Sequence, residues 1–454
     1  MKVFGSSGTR GVANEELTPG FVTRVAKAAG SVWRADRVAV ARDTRTTGRM
    51  LENAAVGGLQ SVGVDVDRLG VVPTPGAQAY AEREGVPAVM VTASHNPAQY
   101  NGVKLVGADG VELSVEDLER IERKFSTEQF DDAAWDAVGA DHDVASARRT
   151  YVEELLAAVD RDAIADADLT VALDPGHGAG ALTSPGFFRR LGCDVVTVNS
   201  QPDGHFPGRD PEPVRENLAD LGRLVRAADA DVGIAHDGDA DRAIFFDETG
   251  EYVEGDATLA ALAEAELGDG DTTVSAVNVS QRLVDVCDRT GADLELTPIG
   301  STQIMTRIRQ LEAEGESVPV AGEGNGGIIF PNYRLTRDGA YTGARFLELL
   351  ADRPASEVLE PYGDYHNVRI NVGYENDAER EALLGAAEER ALEADVERTT
   401  IDGYRLDYGD AWVLARPSGT EPVVRIYAEA TDEDRARDLA ESFAAALRAA
   451  KADV

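Results

Sequence analysis

The chain has 454 residues, 43% hydrophobic and 28% charged, the profile of a soluble globular protein too long for one ordinary core. Acidic residues number 82 against 44 basic ones, a formal net charge of −38, and a field of that sign opposes a nucleic-acid-binding role, which needs clustered cations. No apolar run approaches the roughly 18 residues that span a bilayer, the N-terminus lacks the pattern of a signal peptide, and Cys193 and Cys287 are too few for a disulfide framework or a structural zinc site, so a cytoplasmic protein without membrane attachment is expected.

In chain order, Val38-Ala39-Val40-Ala41 reads as a strand entering the turn Arg42-Asp43-Thr44-Arg45 and then a helix from near Met50. Ala88-Val89-Met90-Val91 reads as a strand running into Thr92-Ala93-Ser94. Leu169 to Leu173 leads into Asp174-Pro175-Gly176-His177-Gly178 and a helix around Pro185 to Leu191, and Val232-Gly233-Ile234-Ala235 leads into a loop at Asp237. Thr273 to Val277 is a further strand, and Val318-Pro319-Val320-Ala321 runs into Gly322-Glu323-Gly324-Asn325-Gly326-Gly327. Strands alternating with helices over such distances indicate α/β layers. The end of the chain differs: a strand near Asn367 to Val372, a helix from about Glu375 to Ala394, strands around Trp412 and Val423 to Ala428, and a helix from Glu433 to Lys451 make an α+β module. The expected fold is therefore three similar α/β domains, at residues 1–148, 149–250 and 251–362, followed by an α+β domain at 363–454. In open sheets of this kind ligands sit beyond the carboxyl ends of the strands, which directs attention to the loops.

Thr92-Ala93-Ser94-His95-Asn96-Pro97 follows a buried-type strand directly, so the Ser94 hydroxyl stands at the sheet edge where it could accept and return a phosphoryl group. Pro97 restricts Asn96 to extended geometry. On an extended chain His95 points away from Ser94, which makes it a poor direct base, and the motif is not the G-x-S-x-G elbow of hydrolases. An isolated serine here would read as an ordinary turn. Asp237-Gly238-Asp239-Ala240-Asp241-Arg242 places a carboxylate at every second position, and in an extended segment these share one side. Such a cluster calls for a hard divalent cation, and Mg²⁺, which takes few protein carboxylates plus a phosphate oxygen, suits it. A calcium EF-hand is excluded because its sixth position, a required glycine, is Arg242, and the flanks read as strands.

Arg416-Pro417-Ser418-Gly419-Thr420-Glu421-Pro422, with Arg425 beyond, combines guanidinium groups, hydroxyls and free backbone amides, the set that a phosphate monoester needs. Taken alone it reads equally well as an ordinary turn. Gly322 to Gly327 lets backbone approach a ligand closely, with Glu323 and Asn325 available to sugar hydroxyls. Asp174 to Gly180 lacks the lysine and hydroxyl of a Walker loop and does not fit G-x-G-x-x-G, so it reads as a structural turn.

These four loops in this order resemble the α-D-phosphohexomutase superfamily, which includes phosphoglucomutases, phosphomannomutases and phosphoglucosamine mutases. Phe4-Gly5-Ser6-Ser7-Gly8-Thr9-Arg10-Gly11 is similar to its N-terminal signature, and the likeness covers nearly the whole chain. The resemblance implies that the four domains surround one central cleft. It implies that Ser94 is phosphorylated in the resting enzyme and that Asp237, Asp239 and Asp241, with a Ser94 phosphate oxygen, hold Mg²⁺. Ser94, Lys104, Arg10 and the adjacent His95 become the catalytic set, Lys104 being the better acid/base because arginine keeps its proton. Glu323, Asn325 and Arg242 become sugar-phosphate contacts, and Arg416, Ser418, Gly419, Thr420 and Arg425 the distal phosphate loop.

The implied reaction passes phosphate between C6 and C1 of a hexose phosphate through a sugar bisphosphate, which is intermediate and activator at once. Where many members carry a serine and a histidine in the sugar loop, this chain has Asn325 and Gly327, so a histidine acid/base is missing there. The Asn-Gly-Gly form looks most like archaeal phosphoglucosamine mutase-type proteins, which favours glucosamine 6-phosphate to glucosamine 1-phosphate. Mannose or glucose phosphates are the close alternative, and a sugar phosphatase or a non-catalytic sugar-phosphate sensor are the remaining ones. Oligomeric state is open. Lysine is confined to Lys2, Lys27, Lys104, Lys124 and Lys451, and so acidic a surface is expected in a very salty cytoplasm, where short Debye lengths screen its self-repulsion.

Overall fold

The computed structural model describes residues 8–418 and 421–452. The chain forms two compact units, one running to Leu262 with Pro319–Leu359 added, the other made of Ala263–Val318 and Glu360 onward.

The first unit begins with a six-stranded sheet in the order Thr9–Val12, Tyr100–Val106, Ala88–Val91, Arg37–Arg42, Asp65–Val71, Asp141–Asp143. Arg37–Arg42 runs parallel to both Asp65–Val71 and Ala88–Val91, while Tyr100–Val106 returns antiparallel to Ala88–Val91. The period-2 alternation of strands sorts the side chains into two cores. Val38, Val40, Val89 and Val91 face the helices Pro19–Trp33, Gly48–Ser61 and Val115–Thr127. Ala39, Ala41, Ala88 and Met90 face Thr74–Glu84 and Ala147–Ala157. The smaller residues on this second face let the helix beginning at Thr74 lie close to the sheet.

A second sheet, in the order Ile244–Phe246, Val232–Ala235, Thr170–Asp174, Asp194–Thr197, is parallel in its interior with one antiparallel edge. Three short strands, Ala321–Glu323, Gly327–Phe330 and Arg334–Arg337, pair antiparallel in succession and lead into the helix Gly339–Leu349. Arg334 ties the last of these strands to the first sheet's helices through Glu82 (2.6 Å) and Glu154 (3.0 Å).

In the second unit Thr272–Ala276 and Asp293–Thr297 pair in parallel. A five-stranded antiparallel sheet follows, in the order His366–Gly373, Val423–Ala430, Ala411–Pro417, Tyr404–Asp407, Glu397–Thr399. The helices Asp377–Glu393 and Glu433–Ala452 cover one of its faces with Leu383, Ala387, Phe443 and Leu447. This is the α+β module expected of the chain's last stretch. No helix among the described residues is long and apolar enough to cross a membrane.

Candidate active site

Two neighbouring parallel strands, Arg37–Arg42 and Ala88–Val91, deliver the loops at Asp43 and Ser94 to the same edge of the sheet. Ser94 lies 1% exposed with φ +52, a left-handed conformation costly for a residue with a Cβ and held by its surroundings. Its amide donates to Thr92 Oγ1 (2.9 Å), whose hydroxyl donates to Asp43 Oδ2 (2.7 Å). The buried Arg45 guanidinium completes the frame. It donates to the carbonyls of Ser94 (2.9 Å) and Asn96 (2.6 Å) from one nitrogen, to those of Pro97 (2.7 Å) and Tyr100 (3.0 Å) from the other, and to Asp43 Oδ2 (3.1 Å) from Nε.

The left-handed turn corrects one expectation. It is not an extended segment, and it brings the His95 ring back to Ser94, Nδ1 to Oγ 3.3 Å. Burial first, then the Arg242 and Arg10 guanidinium groups, push the His95 pKa far down, so the ring is neutral and able to accept a hydrogen bond from a hydroxyl.

The acidic loop leaves the strand Val232–Ala235 and is likewise a turn rather than an extended run, with Ala240 at φ +56. The carboxylates therefore converge because the chain curls, not because alternate residues share a face. Gly238 is needed here: a Cβ would lie 2.6 Å from the Ser94 carbonyl, so the acidic loop can approach the serine loop only with glycine. Behind the loop, Arg209 donates to the His236 carbonyl (2.6 Å) and to Asp174 Oδ2 (2.9 Å). Ala179 of the turn at Asp174–Gly180 donates to Gly238 O (2.9 Å), so that turn has the structural role read from its sequence. His236 Nδ1 contacts the Arg242 carbonyl (2.8 Å), and burial pulls its pKa down to about 4, which leaves that nitrogen as the donor.

Ser94 Oγ donates to Asp237 Oδ2 (2.7 Å). Lys104 Nζ donates to Asp239 Oδ2 (2.9 Å) and Asp241 Oδ2 (3.0 Å), Thr74 Oγ1 to Asp239 Oδ2 (2.6 Å), and Arg337 Nη2 to Asp241 Oδ2 (2.7 Å). Burial raises all three carboxyls, and the cations decide the outcome. Asp241, beside Arg337 and Lys104, ends well below the usual range, and Asp239 is also lowered by Lys104. Asp237, facing the two other carboxylates, stays well above it. Burial lowers Lys104, but Asp239 and Asp241 outweigh it and hold the ammonium protonated. Held in this way, the lysine sets a fixed positive charge against the acidic loop.

Carboxylate oxygens of Asp237, Asp239 and Asp241 lie within 4.8 Å of one another. Each residue also keeps a buried Oδ1 with no hydrogen-bond partner. Three buried carboxylates that converge, each with a spare buried oxygen, are what a hard divalent cation requires, so the donor set fits such an ion.

Arg10 donates to Asn96 Oδ1 (2.8 Å), and burial lowers its pKa. Arg242 Nε is 4.0 Å from Asp241 Oδ1. The sugar-loop candidates reach the same place, since Ala243 N, directly after Arg242, donates to the Gly326 carbonyl (3.0 Å). Glu323 is buried, and Asn325 Oδ1 accepts from Gly327 N (3.0 Å).

In the second unit Arg416 and Arg425 are direct cross-strand partners. Like charges so placed repel unless an anion or acid sits between them. Arg416 binds Asp402 (3.0 Å), Arg425 binds Glu421, and both buried Nε atoms lack partners. Ser418 Oγ accepts from Glu421 N (3.2 Å). Gly419 and Thr420 lie outside the described residues.

Sequence reasoning missed Thr74, Arg209 and Arg337, and left Arg45 in a turn without a role. Only Arg45 carried a local signal, an arginine just past a buried parallel strand. Thr74 and Arg337 reach the acidic loop from 165 and 96 residues away.

Four family models match the chain in succession. They are phosphoglucomutase/phosphomannomutase alpha/beta/alpha domain I at residues 1–132, domain II at 149–250, domain III at 254–365 and the C-terminal domain at 369–446. A phosphoglucomutase/phosphomannomutase of Thermococcus kodakarensis is 39% identical over 452 residues, 97% of each chain. A probable phosphoglucosamine mutase of Methanopyrus kandleri is also 39% identical, over 98% of each chain. Among solved structures, a phosphoglucomutase/phosphomannomutase family protein of Burkholderia thailandensis superposes with a TM-score of 0.85 at 29% identity, over 99% of this chain and 98% of the other. With all four domains matched, these loops and their order place the chain in the phosphoglucomutase/phosphomannomutase family, the α-D-phosphohexomutases, isomerases that transfer phosphate within a hexose phosphate.

Proposed function

We propose that the protein interconverts the 6- and 1-phosphates of a hexose, with glucosamine phosphate favoured, and that Ser94 carries the phosphoryl group. The observation that carries this reading is the Ser94 hydroxyl, 2.7 Å from Asp237 in a cluster of three acids with unpartnered oxygens. The phosphoserine Oγ–P bond breaks as a bond forms between phosphorus and a sugar oxygen. The proton leaves the sugar hydroxyl and arrives at Ser94 Oγ, where Asp237 Oδ2 and the neutral His95 Nδ1 are within reach. The resulting bisphosphate turns over and returns its other phosphoryl group to Ser94.

Lys104, Arg10 and Arg242 supply fixed positive charge to the transferring group. Glu323 and Asn325 hold sugar hydroxyls. Arg416, Ser418, Gly419, Thr420 and Arg425 hold the phosphate that is not reacting, a use that suits the facing pair of arginines. Mg²⁺ bound by Asp237, Asp239, Asp241 and a Ser94 oxygen would act as a Lewis acid toward the phosphoryl oxygens.

The amino-sugar preference is supported by the name given to the M. kandleri relative, and that of the T. kodakarensis relative favours glucose or mannose phosphates as the second reading. The test is a side-by-side assay of the 1-phosphates of glucose, mannose, glucosamine and N-acetylglucosamine with Mg²⁺ in concentrated KCl, with intact mass reporting one phosphate on the resting protein. Glucosamine phosphate should give the highest kcat/KM. Release of inorganic phosphate without isomerised sugar would refute the mutase reading in favour of a phosphatase.

A salty cytoplasm belongs to the same proposal. Exposed acids such as Glu381, Glu388, Glu389, Glu433 and Asp434 crowd the C-terminal helices, and the net charge is −38. Dialysis from molar KCl to dilute buffer should lower the thermal midpoint, as unscreened repulsion grows with the Debye length. An unchanged midpoint would remove the support for it.

A further inference from the structure

The sugar loop and the acidic loop share one cation that neither motif contains. Gly327 opens the strand Gly327–Phe330, and Arg337 closes the strand Arg334–Arg337 opposite Ile329. Residues 327 and 329 lie on the same face of their strand, so a long side chain opposite 329 can run diagonally to 327. It does: a Cβ added at Gly327 would meet Arg337 Cδ at 2.7 Å and Nη1 at 3.5 Å. Gly327 is not among the residues of positive φ, so its backbone does not call for glycine. What calls for it is the space taken by the arginine and, at 3.0 Å, by Asn325 Oδ1.

Past that gap the guanidinium, 5% exposed, donates to Asp241 Oδ2 (2.7 Å) and stands 3.8 Å from Glu112 Oε1. Burial lowers its pKa, but Asp241, Glu112 and Glu323 outweigh burial and raise it. The strand that carries it is anchored on the first sheet's helices, with Thr336 Oγ1 donating to Gln78 Oε1 (2.5 Å) beside the Arg334 ion pairs.

We propose that Arg337 is a positioning residue of this site. Lodged in the room that glycine at 327 leaves, it fixes the orientation of Asp241 and locks the sugar loop to the acidic loop. The proposal rests on the functional reading above. In that reading a permanent cation fills the end of the sugar loop nearest the carboxylates.

The test is a double-mutant cycle with a metal titration. Arg337→Ala should lower kcat about 30-fold with KM changed less than about threefold, the split expected of a residue that acts through a ligand. Gly327→Ala should cost a similar factor by displacing the guanidinium. The double variant should fall no more than about twofold below Arg337→Ala, because both changes remove one interaction. Independent of turnover, calorimetric titration of Mg²⁺ into Arg337→Ala should show about tenfold tighter binding, since Asp241 loses a competing charge.

Losses that multiply in the double variant, or Mg²⁺ affinity that is unchanged or weaker, would overturn the proposal. If Arg337→Ala does not fold, Arg337→Met keeps the aliphatic stem and serves for the titration, while unfolding midpoints of the metal-free Gly327→Ala and wild-type proteins read the displacement. A wild-type protein that isomerises no hexose phosphate would refute the functional reading, and the Mg²⁺ affinities would still decide the placement of Arg337.

Discussion

If Ser94 carries the phosphate as proposed, replacing it by alanine should abolish turnover, with a loss of about 10⁴-fold or more, and should remove the phosphate from the intact mass. The hydroxyl stands at the meeting of the two loops, and Asp237 at 2.7 Å and His95 at 3.3 Å are both arranged around its oxygen. The loss of stability is smaller. Deleting a buried hydroxyl that donates to a carboxyl leaves that acceptor unpaired, at a cost of about 1–3 kcal/mol. The left-handed backbone at φ +52 costs a residue with a Cβ about 1–2 kcal/mol, but serine and alanine bear that cost alike, so it cancels between them.

Ser94→Gly isolates the backbone cost. It adopts the same φ freely, so it should be as inactive as Ser94→Ala yet more stable by about 1 kcal/mol. Denaturant unfolding of both variants checks the difference, and mass spectrometry checks the missing phosphate. A Ser94→Ala protein that still carries one phosphate and turns over would mean that another oxygen is the carrier.

The serine and the acidic triad were legible because each lies within six consecutive residues at the end of a recognisable strand, so local order alone brought them into view. Why they work was less legible. Regular spacing suggested an extended acidic segment, whereas the chain turns at Ala240 and brings the carboxylates together by curling. The same kind of local conformation, a left-handed Ser94, turned His95 towards the hydroxyl when a β-like reading had sent it away. Backbone sign at single residues is set by tertiary neighbours such as Arg45 and Gly238, and side-chain pattern does not encode it.

The partners from distant segments were the least visible. Arg337 sits on a short antiparallel strand of unremarkable sequence, and its role emerges only when a missing side chain at Gly327 and a carboxylate 96 residues away are seen around it. The fold itself was more accessible. Val38-Ala39-Val40-Ala41 shows both its strand period and, in the size difference, which face packs against which helices. The departure noted in the sugar loop, glycine in place of histidine, was readable as an absence. That the space is taken by the Arg337 side chain was not.

Arg45→Met unfolds the serine loop from below, with a stability loss of about 3–5 kcal/mol, the usual result of leaving one partner of a buried ion pair alone. Five hydrogen bonds go at once: the one to Asp43 and those to the carbonyls of Ser94, Asn96, Pro97 and Tyr100. Burial holds the Asp43 carboxyl above its ordinary range even with the guanidinium beside it, and losing Arg45 raises it further. Turnover should fall about 100-fold or more, because the carbonyl that Arg45 grips on Ser94 also sits against Gly238, and the two loops lose their common register. Two further variants divide charge from shape. Arg45→Lys keeps the charge but cannot bond four carbonyls from a planar fork, so it should regain part of the stability and little of the activity. Combining Asp43→Asn with Arg45→Met removes both buried charges and should recover stability relative to Arg45→Met alone while leaving turnover low. Urea unfolding and kcat measured across this set decide the matter, and a fully active Arg45→Lys would show that the positive charge suffices and that the fork does not hold the nucleophile in place.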